Sequence, residues 1–505
     1  MFCVSAVGLK TIDLCVLVGY LIAVVAMGCW FSRRSKNSAD FMAAGGRLPG
    51  WAVGLSILGT YVSSISFIAN PGKSYQDNWN PFVFSLSLPI AALLAVAFFV
   101  PYYRNAGHVS AYRSLEDRFG RWAGTYGVVC YLLTQVARVG SILYLVALAL
   151  VPLTGWDIRA IIVSTGVLVT VYTLVGGIEA VIWTDVVQSI VLCVGMLLCV
   201  WLIGNEMPGG LAQLFTIANG ENKMSLGSMS TEPASWLSDF PGGTTFWVML
   251  LYGLFINLTN FGIDQSYVQR YLSAESESAA KRSVWLGALS YIPVSAVLFF
   301  LGTALFAFYQ ARPELLPDGT KPDAVFPHFI ATQLPPGATG LLLAAVMAAA
   351  MSSVDSSLNS SATLCLTDLY KRYVNPGCDE RRSMLVLRLS TIGWGIVGTL
   401  MALAMINVKS VLDEWWKLAG IFSGGMLGLF LLGFLSRRAN RRAAQIAVGV
   451  GVLAICWLSF STTDYWPLES LKNPLHQSLT IAVGTSAIVV VGFVVVAFVR
   501  TDQRS

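Results

Sequence analysis

Long apolar runs dominate this chain of 505 residues, and short polar segments separate them. Most runs extend over about 18 to 30 residues, enough for an α-helix to cross a hydrocarbon core about 30 Å thick. Because lipid offers the backbone no hydrogen-bond partners, such runs predict membrane-spanning helices. We therefore expect an all-α integral membrane protein with about 13 transmembrane helices. The predicted spans are residues 11–31, 49–72, 80–102, 122–152, 159–177, 180–204, 244–267, 283–309, 338–369, 384–407, 412–435, 443–461 and 476–499.

The basic residues give these spans an orientation. Loops after the odd-numbered spans carry more than twice as many Lys and Arg residues as the loops on the other side; the first of them holds Arg33, Arg34 and Lys36. Cytoplasmic loops of membrane proteins are enriched in these residues. The N-terminus is therefore expected outside the cell and the C-terminus in the cytoplasm, in a multi-pass protein of the cell membrane.

Composition excludes several classes of function. The chain is 55% hydrophobic and 12% charged, whereas soluble domains carry about 25% charged residues. It has no phosphate-binding loop of the ATPase type and no basic stripe that would indicate a nucleic-acid partner. The three histidines are far apart in sequence, so neither a catalytic cluster nor a metal site other than one for sodium is expected. Nothing indicates an obligate protein partner.

The second and seventh predicted spans are poorer helices than the others. In the second span a serine- and threonine-rich stretch, 60–66, follows Gly59, and the span ends at Pro71 and Gly72. The seventh contains Asn257, Thr259, Asn260 and Gly262. In a broken helix the freed carbonyls can face a cation. Alternatively, the span is a kinked helix whose hydroxyls bond back to the preceding turn.

The ninth span carries a hydroxyl-rich face. Helical spacing places Ala349, Ser352, Ser353 and Ser356 on one side, and Asp355 adds a negative charge nearly midway along the span. Hydroxyl and carbonyl oxygens make a hard site that suits an alkali cation better than a transition metal. The alternative is that small hydroxyl residues only allow the helices to pack closely.

Two further charges lie inside predicted spans. Arg138 is central in the fourth span, where it is either the partner of an internal acid such as Asp355 or Asp185, or the binding group for a substrate carboxylate. Asp185 follows the Gly176-Gly177 turn and enters the membrane near the cytoplasmic face. That position suits an ion exit, or an acid that caps a helix N-terminus.

Three segments resemble the sodium:solute symporter family: residues 176–188, residues 264–274 and the serine-rich ninth span. The resemblance extends over about residues 10–460, in the family's order and spacing. It implies a LeuT-type fold, in which spans 2–6 are repeated upside down by spans 7–11 and the discontinuous spans 2 and 7 begin the two repeats. The implied units are an extra N-terminal helix and cytoplasmic loop (1–48), the first repeat (49–204), an extracellular loop (205–243), the inverted repeat (244–435) and two C-terminal helices (436–505).

The resemblance also implies two sodium sites. The shared site would use the carbonyls of Gly59, Val62 and Ala349 and the hydroxyls of Ser352 and Ser353. A second site, found in some members, would involve Asp185, Asp355 and Ser356. Asp355 departs from the serine expected there, so that the second site gains a carboxylate. This carboxylate either strengthens the ion site or carries a proton instead.

Within the family the chain is most similar to bacterial sialic acid symporters, through residues 48–52, Arg138-Val139 and residues 178–185. That similarity implies that Arg138 binds the carboxylate of the substrate. The other substrate-binding positions that it implies, or that the mechanism adds, are Tyr61, Ser63, Ser66, Ser85, Asn260 and Phe261. Two of these depart from the pattern, because Tyr61 replaces a small hydroxyl residue and Ser85 replaces a glutamine.

The expected function is a sodium-coupled symporter that imports a carboxylated sugar such as sialic acid by alternating access. The sodium ion is the coupling ion, and the partners are a small acidic solute and the lipid bilayer. A neutral sugar or a small monocarboxylate is an alternative substrate. Readings from other classes are a channel, a transporter-like sensor and a membrane enzyme, and the last is not expected.

Overall fold

A computed structural model describes residues 9–32, 37–241, 243–408, 410–462, 466 and 468–498 of the chain. The basic residues Arg33, Arg34 and Lys36, which contribute to the predicted orientation, lie outside the described residues. The described α-helices are α1 (Thr11–Ser32), α2 (Ser38–Ala43), α3 (Gly50–Tyr61), α4 (Asn70–Gln76), α5 (Val83–Leu86), α6 (Leu88–Leu94), α7 (Val100–Ala106), α8 (Arg113–Phe119), α9 (Arg121–Thr154), α10 (Ile158–Glu206), α11 (Gly210–Gly220), α12 (Phe246–Ile263), α13 (Gln265–Ser273), α14 (Glu277–Ala311), α15 (Pro322–Thr332), α16 (Ala338–Leu364), α17 (Glu380–Ala404), α18 (Val411–Leu435), α19 (Arg441–Phe460) and α20 (Thr480–Phe498).

The helices confirm a membrane architecture built from α-helices. Eleven helical stretches of the described chain are long and apolar enough to cross a membrane. One further pair, Gly50–Tyr61 and Ile65–Gln76, passes the same test together and is bent by 56° at its break. A shorter apolar helix, Ile158–Val171, precedes a kink in α10. The described residues contain no β-strand and only two isolated β-bridges.

The first predicted broken helix is broken at the end of α3. Val62 leaves the helical conformation, with φ −82° and ψ 96°, and a π-helical turn at Ile65–Ala69 leads into α4. The hydroxyl of Ser64, in the break, donates to the carbonyl of Ile142 on α9 at 3.1 Å. The irregular backbone is therefore tied to a neighbouring helix, which is how such a segment is tolerated at membrane depth.

The second predicted broken helix is interrupted between α12 and α13. Asp264 adopts an extended conformation, with φ −73° and ψ 126°, and its side chain accepts the backbone N–H of Ser266 at 2.8 Å. An aspartate in this position is a favoured N-cap because it satisfies a free N–H of the new helix. A single residue thus ends one helix and starts the next.

The predicted fifth and sixth spans follow each other directly as the two halves of one long helix, α10, which is kinked at Gly177. The glycine has φ 63° and ψ 176°, a region that side-chain-bearing residues rarely adopt. The predicted Gly-Gly turn is therefore a sharp bend without a loop. The half of α10 that follows the bend and carries Asp185 packs against α16.

Helix α16 lies at the centre of the molecule. Nearly every residue from Thr339 to Leu364 is buried, against α1, α3, α9, α10 and α17. Its hydroxyl-rich face therefore meets other helices and not lipid. This position brings the polar groups of α3, α9 and α10 to the middle of α16.

Candidate functional site

The break in α3 faces the serine pair of α16. The hydroxyl of Ser353 donates to the carbonyl of Thr60 at 3.2 Å. A side chain at Gly59 would place its Cβ 3.0 Å from Oγ of Ser352 and 2.7 Å from Oγ of Ser189, so the close approach of the two helices requires glycine here. The predicted residues of the first sodium site therefore lie on facing turns of α3 and α16.

The chemistry of this junction fits an alkali cation. Because Val62 is not helical, the last carbonyls of α3, among them those of Gly59 and Val62, lie at a helix C-terminus, which carries partial negative charge. Oγ of Ser352 is buried and has no hydrogen-bond partner in the described chain, and Ala349 lies one turn before Ser353. These are oxygen donors without nitrogen or sulfur, as hard cations prefer.

A buried ion pair lies one turn further along α16. The guanidinium of Arg270, on α13, is fully buried and donates from Nη2 to Oδ2 of Asp185 at 2.9 Å and to Oγ of Ser356 at 2.7 Å. Its Nε donates to Oγ of Ser56 at 2.8 Å, and Nη1 donates to the carbonyl of Ser266 at 2.9 Å. Ser56 in turn donates to Asp185 at 2.5 Å. Arg270 thus joins α3, α10 and α16.

Sequence analysis missed Arg270 and Ser56 as site residues. Arg270 lies in the segment 264–274 that carries the family resemblance, and a positive charge between two predicted spans was counted only toward orientation. The residue that it pairs with, Asp185, is 85 positions earlier in sequence. The available signal was one arginine in a segment that carries the resemblance and two acids inside predicted spans. Which acid the arginine pairs with is seen only in the fold.

Asp355 has no cationic partner of its own. Its Oδ1 accepts the backbone N–H of Ser356 at 2.6 Å, whereas Oδ2 is buried without a partner in the described chain, as are Oδ1 of Asp185 and Oγ of Ser352. Two carboxylates and one guanidinium leave a formal charge of −1 in this cluster. Buried polar oxygens without partners are costly, and a cation among them would relieve that cost. The second predicted sodium site, at Asp185, Asp355 and Ser356, therefore fits a cation.

Arg138 occupies a different place from this ion pair. Its Nη2 donates to the carbonyl of Thr60 at 2.5 Å. Among the described residues no carboxylate lies within ion-pair distance of Arg138, and Asp185 is paired with Arg270. In this structure Arg138 is therefore not the partner of Asp185 or Asp355. Its guanidinium lies on the wall of a cavity.

A central cavity lies between the broken helices and α9, α14 and α18. Its wall includes six of the predicted substrate positions: Tyr61, Ser63, Ser66, Ser85, Arg138 and Asn260. Residues of the wall that sequence analysis missed include Gln135, Asp264, Tyr291, Trp415, Trp416 and Ser423. Aromatic residues in an apolar span carry no distinguishing signal, which is why Trp415 and Trp416 were not recognised.

The two positions that depart from the expected pattern are both engaged. The hydroxyl of Tyr61 donates to Oδ1 of Asn257, and its ring meets that of Tyr291 with 4.3 Å between centroids. Ser85 donates to Oγ of Ser295 at 2.8 Å. Tyr61 therefore stands as a fixed wall of the cavity, and the hydroxyl of Ser85 is partly satisfied within the protein.

Phe261 lies behind this wall. Its ring is fully buried, with its centroid 5.9 Å from that of Tyr61 and 5.1 Å from that of Tyr267. Its carbonyl accepts the hydroxyl of Tyr271 at 2.7 Å. Phe261 is not among the residues that line the cavity. In the structure it therefore supports Tyr61, and it does not face the solute space.

A second cavity adjoins the first on the side of the 205–243 segment. The two cavities share Pro81, Tyr252 and Trp416 as lining residues. On the rim of the second cavity Lys73 contacts Asp413 and Asp77, each at 3.1 Å. The central cavity thus borders a polar vestibule on one face of the molecule.

The sequence of this chain is similar to those of known membrane transporters. Residues 41–451 match the sodium:solute symporter family. The sodium/sialic acid symporter NanT of Aliivibrio fischeri is 33% identical over 498 residues, which cover 98% of this chain and 95% of the relative. The sodium/sialic acid symporter SiaT of Proteus mirabilis is 36% identical over 447 residues, 88% of each chain.

A solved structure shows the same fold. A Na⁺-coupled sialic acid symporter in a substrate-bound outward-open state superposes with a TM-score of 0.88 at 32% identity, covering 97% of this chain and 98% of the other. The similarity therefore extends over nearly the whole of both chains.

Proposed function

Because the chain belongs to the sodium:solute symporter family, we propose that it imports sialic acid, a carboxylated sugar, together with sodium ions by alternating access. Sodium is the coupling ion of this family, and the chain is a multi-pass membrane protein. The relatives that are similar along nearly the whole chain are sodium/sialic acid symporters. The proposal assigns that substrate to this chain.

The observation that carries the proposal is the shared carbonyl of Thr60. It accepts a hydrogen bond from Arg138, on the cavity wall, and another from Ser353, at the junction of α3 and α16. A substrate carboxylate would engage Arg138, and a sodium ion would engage Ser353. Both ligands would therefore act on the same irregular backbone segment, so that binding of one favours binding of the other.

Two sodium sites follow from the same geometry. The first is formed by the carbonyls of Gly59, Val62 and Ala349 and the hydroxyls of Ser352 and Ser353. The second is formed by Asp185, Asp355 and Ser356, with Arg270 neutralising one of the two carboxylates. Substrate would lie among Tyr61, Ser63, Ser66, Ser85, Arg138 and Asn260, with Phe261 behind Tyr61.

The proposed topology has thirteen spans, with the N-terminus outside and the C-terminus in the cytoplasm. The eleven apolar stretches, the bent pair and the shorter apolar helix before Gly177 support this number. The core is then a LeuT-type pair of inverted repeats, 49–204 and 244–435, and both begin with a broken helix. In this orientation the vestibule that borders the central cavity faces outside, and solute enters the cavity from there.

A smaller organic acid is a second candidate substrate. Tyr61 holds its ring in the cavity against Tyr291, and Ser85 already donates to Ser295. Both features reduce the space and the free polar groups available to a large sugar acid. A short monocarboxylate would still meet Arg138, which is the feature that both candidates require.

The test is uptake by proteoliposomes that contain the purified full-length chain. We expect sialic acid uptake with an inward sodium gradient and none when choline replaces sodium. The methyl ester of sialic acid, which lacks the charged carboxylate, and a short monocarboxylate serve as competitors. The ester should compete at least about tenfold less well than the acid, because a charge-assisted pair contributes about 1.5 to 3 kcal/mol.

Substitution at the cavity wall tests the feature that both candidates require. Arg138→Gln retains an amide donor for Thr60 but removes the charge, and it should raise the half-saturating substrate concentration at least about tenfold. Sodium-independent uptake by the wild-type protein would refute the proposal. If the monocarboxylate were taken up and sialic acid did not compete with it, the monocarboxylate would be the substrate. The proposal of sodium coupling would be unaffected.

A further inference from the structure

The N-terminal helix α1 is held tightly against the centre of the molecule. Oδ1 of Asp13 accepts the backbone N–H groups of Gly337 and Gly340, at 2.7 and 2.9 Å, where α16 begins. A Cβ at Gly340 would lie 2.6 Å from the carbonyl oxygen of Asp13. This carboxylate caps α16 and fixes the register of α1 against it.

Two turns further along, α1 brings Tyr20 to the polar centre. The hydroxyl of Tyr20 is buried beside the side-chain amide of Gln188 on α10, and Asp355 and Asp185 are the charged groups that act on it. Gln188 is 1% exposed, and neither its amide oxygen nor its amide nitrogen has a hydrogen-bond partner at normal distance in the described chain. The hydroxyl of Tyr20 also has none.

These groups add to the unpartnered oxygens already described at the second sodium site. Oδ2 of Asp355, Oδ1 of Asp185 and Oγ of Ser352 are likewise buried without partners. All five residues lie on α1, α10 and α16, which pack against one another. Isolated unsatisfied groups are rare in proteins, so a cluster of them points to a bound ligand or ordered water.

The charge of the cluster selects a cation. Arg270 directs its donors to Asp185, Ser356 and Ser56, and none to Asp355. The charged groups that act on Asp355 are Asp185 and Arg270, which leaves one negative charge uncompensated. Water alone would not neutralise this charge, whereas a monovalent cation would, and all the free atoms except the amide nitrogen are oxygens.

We propose that the cation bound between Asp185 and Asp355 is also coordinated by the hydroxyl of Tyr20 and the amide oxygen of Gln188. The extra N-terminal helix is then part of an ion site, and it is more than a support beside the repeats. The inference rests on the proposed function, in which that cation is sodium. Asp355, which stands where the family pattern has serine, supplies a carboxylate to this site.

The experiment measures sodium binding to the purified full-length chain by sodium-dependent thermal stabilisation, with choline as the substituting ion. Tyr20→Phe removes only the hydroxyl, and Gln188→Met removes the amide oxygen at similar volume. Each should raise the half-saturating sodium concentration about tenfold, the usual effect of losing one charge-assisted contact. The melting temperature in choline should stay at the wild-type value, which a purely structural role would not predict.

Tyr103→Phe is the matched control. Its hydroxyl is also buried without a partner in the described chain, but it lies on α7, away from α1. This variant should bind sodium like the wild type. In uptake assays the half-saturating substrate concentration should be unchanged in Tyr103→Phe.

The outcomes separate this inference from the proposed function. The inference would be overturned if both Tyr20→Phe and Gln188→Met kept a half-saturating sodium concentration within about twofold of the wild-type value. Sodium-coupled uptake would persist in that case. If Gln188→Met fails to fold, Tyr20→Phe decides alone. Substrate uptake by the wild type that does not depend on sodium would instead refute the proposed function.

Discussion

Thr60 shows how one backbone group can belong to two binding sites. It is the penultimate residue of α3, and its carbonyl accepts both Arg138 and Ser353 because the helix stops before an intrahelical donor reaches it. In a regular helix this oxygen would be committed to the next turn. The break therefore supplies a shared acceptor between the central cavity and the proposed sodium junction.

Ser353→Ala tests the sodium side of this arrangement. Removing the hydroxyl deletes both a proposed sodium ligand and the donor to Thr60, so half-saturating sodium should rise at least about tenfold. Uptake at several sodium concentrations measures the shift. Ser357→Ala is the control on the same helix, because its hydroxyl donates back to the carbonyl of Ser353 at 2.8 Å. An equal loss in both variants would contradict a role specific to Ser353.

A pH effect is expected at Asp323, in the segment between α14 and α16. Burial raises the pKa of Asp323 to about 6, although the backbone N–H of Val411, which it accepts at 3.0 Å, acts in the opposite direction. The folded protein therefore holds this proton more tightly than the unfolded chain. Its stability should increase as pH falls through 6, by about 1 kcal/mol between about pH 7 and 5.

The measurement compares the wild type with Asp323→Asn. Other groups titrate in both proteins, so the difference between their melting temperatures isolates Asp323. The melting temperature of the wild type should rise relative to that of the variant as the buffer is changed from about pH 7 to 5. A difference that is constant across this range would contradict a raised pKa at this position.

How much of the site was predictable from sequence depends on the kind of residue. Arg138 and Asp355 could be singled out because a charge within an apolar span is costly and needs a reason. Their partners could not be derived, since Arg270 reaches Asp185 from a helix that begins 80 residues later. The hydroxyl face of α16 was visible in its spacing, whereas the orphaned amide of Gln188 depends on packing that a sequence does not show.

At the scale of helices, both interruptions were predictable, but their forms were not. Small and polar residues indicated breaks near Gly59 and near Asn260, and the structure places them at Val62 and Asp264. The Gly-Gly pair predicted a turn between two spans. In the structure the chain bends at Gly177, with helix on both sides and no loop between them. Local composition thus locates a departure from helix, while tertiary contacts decide whether it becomes a loop, a bend or a capped restart.

Gly302 of α14 tests how closely the broken helix must pack. A Cβ at Gly302 would lie 2.2 Å from the carbonyl oxygen of Pro71 on α4, a distance that requires the helices to separate. Gly302→Ala should therefore lower stability by about 1 to 3 kcal/mol and reduce uptake. Thermal unfolding in detergent measures the loss.

Gly393→Ala provides the matched control in another spanning helix. Gly393 lies within α17, and nothing occupies the space within 4 Å of its added Cβ. Alanine is the better helix former, so this variant should be as stable as the wild type or more stable by up to about 1 kcal/mol. If both substitutions destabilised the protein equally, close packing at Pro71 would not be the cause.

At the scale of the whole molecule, the charges of the two sodium sites and of the substrate decide what drives transport. The proposed second site has a formal charge of −1 from Asp185, Asp355 and Arg270, which one sodium ion would balance. Two sodium ions with one carboxylate substrate carry one net positive charge inward per cycle. One sodium ion with the same substrate carries none, so its cycle would not respond to membrane potential.

Accumulation should therefore depend on membrane potential. A potential of about 60 mV, inside negative, adds about 1.4 kcal/mol per net charge, which is a tenfold increase in the steady-state ratio of internal to external substrate. Proteoliposomes loaded with potassium and treated with valinomycin set this potential, at a fixed sodium gradient. Asp355→Asn should bind sodium at the first site only, retain sodium-dependent uptake and lose the response to potential. If wild-type accumulation were the same with and without valinomycin, the chain would couple one sodium ion to each substrate, and the second site would have no part in transport.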